Sequence, residues 1–322
     1  MKSGIVMRVL TILLLAGLSG VAVAQTYPAR PIRIVVPFPP GGIADLFSRL
    51  IGQRFSETWG QQTVIDNRTG AGGNIAAELV AKSPPDGYTL VMGSIGTHAV
   101  NVSLFRKIPF HPVRDFAPVA LVIEADGLLV VHPSVPVKTT KELIALARSR
   151  PGQLLYASAG NGTAGHLAGE LFKTMAKVNM VHVPYKGNAP AITDLLAGQT
   201  SLLFATMPTV LPHVQVNRLR AIASTGVQRS LPEVPTVAEA ALPGFEVTNW
   251  IGMFAPAGTP RDVVAKLNGE IIRLTQSPEI QARLVKEGAK STPKTPEEFG
   301  AYVRSEIDKW AKVIQASGVR VD

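Results

Sequence analysis

The 322-residue sequence contains no cysteine, which excludes disulfide bonds, a thiolate nucleophile and cysteine-based metal sites. It also contains no G-x-S-x-G nucleophile motif and no H-E-x-x-H zinc motif, and its six histidines show no spacing typical of metal ligands. The sequence therefore predicts neither a metal site nor a catalytic centre, and we expect no cofactor.

Beyond the N-terminus, no apolar run approaches the ~20 residues that a membrane-spanning helix needs. At the N-terminus, Lys2 and Arg8 lie at the start of an apolar run. This run ends in the small-residue site AVA at 22–24. This pattern predicts a secretory signal peptide over residues 1–24, with cleavage before Gln25; the alternative is an uncleaved N-terminal helix. We expect a mature protein that is soluble and periplasmic.

The charged residues form no run of one sign. The formal net charge is +9, and removal of Lys2 and Arg8 with the signal peptide leaves +7, from 30 basic and 23 acidic residues. The basic residues are scattered and are not interleaved with aromatic ones, which argues against a nucleic-acid partner. A mildly basic body favours anionic solutes but does not by itself define a site.

What the sequence does contain is an alternation of short apolar runs and amphipathic segments. The runs IRIVVPF, TVIDN and YTLVMGS are typical of buried strands, and GGIADLFSRLIGQRFSETWG and GGNIAAELVAKS between them are typical of helices. A second series of strands and helices follows from residue 116, and the tail from residue 261 is helical. This order predicts an α/β fold whose mostly parallel sheets are flanked by helices.

Two strand-rich segments, 116–134 and 245–256, flank the second series. Each of them can carry the chain from one domain to the other. We therefore predict a hinged, two-lobed Venus-flytrap architecture with a ligand cleft between the lobes. The first lobe comprises residues 25–124 plus 251–322, and the second comprises residues 125–250.

Four turns share one design, with glycine and small hydroxyl residues at the carboxyl end of a strand: PFPPGGIAD, VMGSIGTHAVN, YASAGNGTAGH and VPYKGNAP. The third has Gly160, Gly162 and Gly165 in the G-x-G-x-x-G spacing of dinucleotide-binding loops. The acid that such a site places ~20 residues later is absent, because Tyr185 and Lys186 stand there. Since a helix N-terminus accepts phosphate, sulfate or carboxylate alike, the turns predict a site for a small anion other than a nucleotide.

Several side chains near these turns have two interpretations. His98 and His166 can line the cleft and donate to a carboxylate, or can be hydrogen-bonded structural residues. Asp45 can bond the backbone at a helix start or accept from a ligand's ammonium group. Lys186 can be a solvated turn residue or a ligand contact, and Trp250 can wall the cleft or fill the core.

Longer blocks carry a resemblance to a known family: YPARPIRIVVPFPPGGIAD, DNRTGAGGNIAAELVAKSPPDGYTL, YASAGNGTAGHLAGELF, VHVPYKGNAPAITDLLAGQ, PEVPTVAEAALPGFE and GMFAPAGTP. Over about residues 27–318 the chain resembles Bug-type receptors, the periplasmic substrate-binding proteins of tripartite tricarboxylate transporters. The resemblance implies a type II-like periplasmic-binding-protein fold, expected to be monomeric, that closes on one small organic acid.

The resemblance also implies how the acid is held: mainly by backbone N–H groups, small hydroxyl side chains and ordered waters. With His98 added from its place in a turn, the implied ligand-binding residues are Gly41, Gly42, Asp45, Ser94, Thr97, His98, Ser158, Asn161, Gly162, Thr163, His166, Tyr185, Lys186 and Gly187.

The chain departs from the family pattern at two positions. Ala164 stands where the family often has Ser, and Ala205 stands where it often has Asp. We predict that Ala205 lines the cleft and that, with Met207, it makes the pocket more apolar. An amino-acid ligand then becomes less expected, and a carboxylate with an apolar or aromatic body becomes more so.

These observations predict an extracytoplasmic solute-binding receptor, not an enzyme, that delivers a small organic carboxylate to the integral membrane subunits of a transporter. Two alternatives remain open at this point. The receptor can serve a signalling partner instead of a transporter, or the protein can be an exported enzyme. For the enzyme, Ser158 and His166 are the local pair worth testing.

Overall fold

The computed structural model describes residues 27–321, except residues 228, 230, 287 and 288. The predicted signal peptide over residues 1–24 lies outside this described part. Among the described residues, no helix is both long enough and apolar enough to cross a membrane.

The chain begins with the βαβαβ order that the sequence predicts. Its elements are β1 (Ile32–Val36), α1 (Ile43–Trp59), β2 (Thr63–Asn67), α2 (Asn74–Ala81) and β3 (Thr89–Ser94). Helix α1 buries Phe47, Ile51 and Phe55, which are spaced four residues apart and therefore share one face. The helix ends where Gly60 takes a left-handed φ of 68°.

The weakly helical stretch after β3 forms a π-helical turn over Gly96–Val100 and the short helix α3 (Asn101–Leu104). The long strand β4 (Phe116–Val131) follows. Beyond it lie α4 (Thr140–Ser149), β5 (Leu155–Ser158), α5 (Ala164–Ala176), β6 (Val181–Pro184), α6 (Asn188–Leu196), β7 (Leu202–Thr206), α7 (Met207–Gln215), β8 (Arg220–Ser224) and α8 (Val237–Ala240).

The last part of the chain returns to the first sheet and then becomes mainly helical, as predicted. It consists of β9 (Thr248–Pro256), α9 (Arg261–Thr275), α10 (Pro278–Lys286), the short strand β10 (Ala289–Lys290) and α11 (Pro296–Ser317).

The strands follow the order β2-β1-β3-β9-β4-β7-β5-β6, with β10 and β8 also paired to β4. The pairs β1–β2, β1–β3, β5–β6 and β5–β7 are parallel, whereas β9 and β4 pair antiparallel to their neighbours. Two parallel groups are thus joined through two antiparallel strands. We call the β2-β1-β3 side the first lobe and the β7-β5-β6 side the second lobe.

Strand β4 belongs to both lobes. Its residues 116–126 pair with β9, and residues 127–131 pair with β7 and β8. The chain returns beside this crossing, where Thr225 joins the two segments. Its Oγ1 accepts from the N–H of Gly127 at 2.9 Å and donates to the carbonyl of Val247 at 2.7 Å. The two crossings are therefore hydrogen-bonded to each other at the boundary between the lobes.

Of the two interpretations of Trp250, a cleft-wall residue or a core residue, the structure shows the second. It is fully buried on β9 and packs edge-on against Phe299 and Tyr302 of α11. Its indole Nε1 donates to Oε2 of Glu306 at 3.1 Å, and the same oxygen accepts from Nε1 of Trp310 at 3.0 Å. One buried carboxylate thus satisfies two buried indole groups and fixes α11 on the sheet.

The sequence interpretation missed helix α7, which begins directly after β7. Its segment MPTVLPHVQ contains Pro208 in the first turn and Pro212 inside the helix. Proline is favourable at a helix start but unfavourable in its interior, so the two prolines obscure the helical pattern. The consequence is functional, because α7 lines the cleft described below.

The shared acceptor on α11 generates a stability prediction. Glu306→Ala should lower the free energy of unfolding by about 3 kcal/mol, because it leaves two buried indole N–H groups without their acceptor. Glu306→Gln keeps one acceptor oxygen and should lose less. Urea unfolding followed by far-UV circular dichroism measures both.

The matched control is Asp308→Ala, which removes an exposed carboxylate from the same helix and should change stability by less than about 0.5 kcal/mol. Equal losses in Glu306→Ala and Asp308→Ala would contradict a structural role for the indole–carboxylate contacts.

Candidate functional site

A cleft of about 600 Å³ lies between the two lobes. This volume is within the range of small-molecule sites. Its walls come from the carboxyl ends of strands in both lobes, including Phe38 after β1, Ser94 at the end of β3, Ala159 after β5 and Thr206 at the end of β7. The position agrees with the general rule that open α/β sheets bind ligands beyond the carboxyl ends of their strands.

Four helices begin at this cleft. The residues that precede their first turns all line it: Gly42 before α1, Thr163 before α5, Gly187 before α6 and Thr206 before α7. Within the described chain, no side chain caps any of these four N-termini. Each therefore offers backbone N–H groups and the positive end of a helix dipole to the cleft.

Side-chain caps occur at other helices of the described chain, although α2, α3 and α9 also begin without one. Helices α4, α8 and α11 each have a full capping box, made by the pairs Thr139 with Glu142, Thr236 with Glu239, and Thr295 with Glu298. These boxes satisfy backbone N–H groups and place a carboxylate at the helix start. At the cleft, the backbone N–H groups of the helix starts remain available to an anionic group.

The charge of the cleft supports the same conclusion. Among the described residues that line it, none is acidic, and the titratable ones are Lys186 and His213. Much of the remaining wall is apolar, including Ile43, Ile95 and Phe204. The cleft can thus accept a negative group at the helix N-termini and an apolar body beside it.

The predicted ligand contacts divide into two groups. Those that line the cleft are Gly41, Gly42, Ser94, Thr163, Lys186, Gly187 and Ala205. Those that lie outside the cleft lining are Asp45, Thr97, His98, Ser158, Asn161, Gly162, His166 and Tyr185. Contact between a ligand and any of these residues stays a prediction.

Asp45 organises the loop before α1. One carboxylate oxygen accepts from the N–H of Gly41 at 3.0 Å, the other accepts from Nδ2 of Asn67 at 3.0 Å, and Arg49 bonds both. Burial alone raises the pKa of Asp45, but the hydrogen bonds from Arg49, Gly41 and Asn67 outweigh it and hold the pKa below its usual value. The carboxylate therefore shapes a cleft loop from behind.

His98 is fully buried in the first lobe. Its ring stacks on Phe254 with centroids 3.8 Å apart, and its Nδ1 lies 2.8 Å from Oγ1 of Thr97. The hydroxyl of Thr97 in turn accepts from the backbone N–H of Ser94 at 3.0 Å. Thr97 and His98 hold the end of β3 in place, and Ser94 is the member of this set that reaches the cleft.

His166 and His182 support the glycine turn of the second lobe. Nδ1 of His166 accepts from the N–H of Gly162 at 3.1 Å, and its ring stacks on His182 at 4.3 Å. Nε2 of His182 lies 2.7 Å from Oγ of Ser158, which also accepts from the N–H of Gly160 at 3.1 Å. Ser158 thus bonds His182, not His166, and it is fully buried.

This arrangement needs neutral histidines, because a protonated His166 could not accept at Nδ1. Burial lowers the pKa of His166 to about 4, and burial together with the neighbouring His166 lowers the pKa of His182 to about 3. Burial likewise lowers the pKa of His98 to about 3. Two nearby charges also act on the pKa of His166: the charge of Glu170 raises it, and the charge of Lys173 lowers it.

The G-x-G-x-x-G turn lies against the other lobe. A Cβ built on Gly162 would lie 2.5 Å from Oδ1 of Asn101, and one on Gly96 would lie 2.8 Å from the carbonyl oxygen of Gly162. Glycine is needed here because two backbones approach each other across the cleft. The carbonyl oxygen of Asn161 lies at the same contact between the lobes. Tyr185 has a different contact, in which its hydroxyl donates to Asp194 of α6 at 2.7 Å.

Sequence reasoning missed further polar residues of the cleft. Those in the second lobe and on the crossing segments are Asn188, Thr193, Thr206, Thr209, His213, Thr225 and Asn249. Asn188 follows the fourth glycine turn and could have been found by the same rule. Thr209 and His213 depend on recognising α7, and Thr225 and Asn249 reach the cleft only through the sheet topology.

Comparison with solved structures identifies the class of protein. An R. palustris protein solved with adipate matches with a TM-score of 0.87 and 40% identity, over 91% of this chain and 99% of that one. MatC from Rhodopseudomonas palustris, solved with bound malate, matches with a TM-score of 0.84 and 36% identity, over 89% and 100%. The structure is that of a two-lobed periplasmic solute-binding protein.

The chain belongs to the tripartite tricarboxylate transporter family receptors, the TctC family, whose model matches residues 47–319. Protein BugT of Bordetella pertussis is 38% identical over 311 residues, which cover 95% of each chain. A protein encoded in the tcbD–tcbE intergenic region of a Pseudomonas sp. is 42% identical over 311 residues, covering 92% of each. These findings confirm the predicted family, fold class and receptor role.

The buried histidines generate a pH prediction. Their folded-state pKa values lie below the unfolded value near 6.5, so the unfolded chain binds protons first as the pH falls. Stability should therefore be complete above about pH 6.5 and should fall below it, by about 1.4 kcal/mol per pH unit for each histidine once the unfolded side chains are protonated. Urea unfolding at intervals between pH 7.5 and 5 measures this slope.

His98→Phe should reduce the slope by about a third, since it removes one of three such groups. His182→Gln provides a second variant if the first folds poorly. Replacement of the exposed Gln199, which does not titrate, by Ala is the control and should leave the slope unchanged. A wild-type stability that does not change between pH 6.5 and 5 would show that the three histidines titrate normally in the folded protein.

Proposed function

We propose that this receptor captures a small organic carboxylate in the cleft between its lobes, in the periplasm, and delivers it to the membrane subunits of a tripartite tricarboxylate-type transporter. The observation that carries the proposal is the convergence of four helix N-termini without side-chain caps on one cleft whose described lining contains no acidic residue. Backbone N–H groups and aligned dipoles bind a carboxylate there without an arginine.

The relatives support this chemistry. One structural neighbour was solved with adipate and another with malate, and both ligands are carboxylates. In this chain Ala164 and Ala205 lie in the cleft lining, beside Phe204 and Ile43. These side chains favour a ligand that has an apolar body as well as its carboxylate.

The working cycle follows from the two-lobed fold. The lobes, which we place at residues 25–124 plus 251–322 and at residues 125–250, open and close about the two crossing segments. A carboxylate bound to one lobe is enclosed by the other, and exclusion of water strengthens each charge-assisted hydrogen bond. The ligand shifts the population only by its greater affinity for the closed form.

Export to the periplasm depends on the signal peptide proposed for residues 1–24.

We propose binding without turnover. The local serine–histidine contact joins Ser158 to His182, and both residues lie outside the cleft lining, Ser158 fully buried. This contact therefore gives no support to a serine nucleophile that faces the cleft. Delivery to a signalling partner would use the same closing motion, so a binding assay on the purified receptor tests the step that both routes share.

A direct binding test uses the mature chain, residues 25–322, with adipate, malate, benzoate, phenylalanine and ATP as probes. A carboxylate should raise the melting temperature and give a saturable heat by isothermal titration calorimetry, because it binds only the folded state. Mass spectrometry should recover the probe unchanged. Binding by ATP alone, or conversion of a probe, would contradict the receptor proposal.

The role of the helix N-termini has its own test. Ala164 is the first residue of α5, and Thr163 before it has φ −75° and ψ 158°, which a following proline tolerates. Ala164→Pro should remove one backbone N–H without breaking the helix and should weaken carboxylate binding about tenfold or more. Calorimetry with whichever acid binds wild type measures the change.

The matched control is Arg261→Pro, at the first position of α9, which follows Pro260 and lies outside the cleft lining. It should leave the affinity unchanged. Equal affinities of Ala164→Pro and wild type would show that the N–H of residue 164 does not hold the carboxylate.

A further inference from the structure

The cleft has an extension that the predicted carboxylate grip does not use. It runs into the second lobe between α6 and α7. On α6 its wall includes Ile192, Thr193 and Leu196, and on α7 it includes Thr209 and His213. Thr193 and Leu196 are three residues apart on α6, with Ile192 next to Thr193, and Thr209 and His213 are four residues apart on α7, so each of these two pairs lies on one side of its helix. We call this extension the α6–α7 groove.

The groove begins where the two helices begin. Nδ2 of Asn188, the first residue of α6, donates to Oγ1 of Thr206, immediately before α7, at 3.3 Å. The hydroxyl of Thr209 donates to the carbonyl of Thr206 at 2.7 Å and is thereby turned back toward the helix start. These polar contacts lie at the end of the groove that opens into the cleft.

Further along, the wall of the groove is mixed, with Ile192 and Leu196 as its apolar part and Thr193 and His213 as its polar part. Leu196 is eight residues beyond Asn188, a distance of about 12 Å along a helix, and His213 is seven residues beyond Thr206, about 10 Å. The wall between includes Ile192, and His213 provides an imidazole near the far end. A four-carbon acid held at the helix N-termini is too short to reach these residues.

The volume is consistent with a longer occupant. About 600 Å³ corresponds to the space of about twenty water molecules. Water in a groove lined by Ile192 and Leu196 gains few hydrogen bonds, so its displacement by methylene groups is favourable. The described residues of the groove and cleft include no acid that would repel an anion or attract an ammonium group.

We propose that the α6–α7 groove takes the apolar body of an elongated carboxylate, longer than four carbons, whose carboxylate lies at the helix N-termini. This rests on the proposed function and specifies the ligand class of the same cleft. Each methylene group that the groove buries should raise the affinity by up to about fourfold.

The experiment measures the affinities of the mature protein for the monocarboxylates butyrate, hexanoate, octanoate and decanoate by calorimetry. Affinity should rise with chain length from butyrate to at least octanoate, by about tenfold or more in total. Thr193→Phe, which places a ring in the groove at an exposed helix position, should weaken the binding of decanoate at least about tenfold and that of butyrate less than about twofold. Ala197→Phe, at an exposed position just beyond α6 that lies outside the lining, should change neither.

Two results would overturn the inference and leave the proposed function standing: affinity that is highest for butyrate and falls with length, or an equal effect of Thr193→Phe on butyrate and decanoate. Failure of all four acids to bind, in a protein that also binds none of the earlier carboxylate probes, would remove the proposed function and this inference together.

Discussion

The long strand β4 is shared by the two lobes and determines how they are joined. Because residues 116–126 pair in one lobe and residues 127–131 in the other, each lobe completes its sheet with a part of the same strand. The return segment is bonded to it through Thr225, so both connections between the lobes lie side by side. These two neighbouring segments are the place about which we propose that the lobes open and close. The carboxyl ends of strands from both lobes consequently face one cleft, with Gly127 and Thr225 in its lining.

Within that cleft, backbone and side chains have separate roles. The helix N-termini of α1, α5, α6 and α7 face the ligand space, while Asp45, His98, His166 and His182 lie behind the loops and hold them by hydrogen bonds and ring stacking. A loop whose N–H groups are already oriented loses little freedom when a ligand binds, which favours affinity. The arrangement also explains why the supporting side chains are buried, since an acceptor such as neutral His166 must be protected from protonation.

Much of this fold could be predicted from local pattern, and the exceptions have physical reasons. The first three strands and the helices between them alternate clearly, and each buries a regular apolar face. Helix α7 escaped detection because Pro208 and Pro212 are unfavourable in a regular helical pattern, although the first suits a helix start. The site was harder, because a turn in the sequence does not reveal which of its atoms face inward. Thus Ser94 reaches the cleft while Thr97 and His98, three and four residues later, turn into the core, and the partner of Ser158 is the distant His182.

The G-x-G-x-x-G turn shows what a glycine spacing does and does not specify. It indicates that another group approaches the backbone closely, but not which group. In a dinucleotide-binding fold that group is a pyrophosphate, whereas here Gly162 lies against Asn101 and Gly96 of the other lobe. The next residues, Thr163 and Ala164, line the cleft. One short turn therefore contacts both the opposite lobe and the ligand space. A ligand bound at Thr163 and Ala164, as we propose, would adjoin the surface at which the lobes meet. It would then interact differently with the open and closed forms, which is the requirement for a ligand to drive closure.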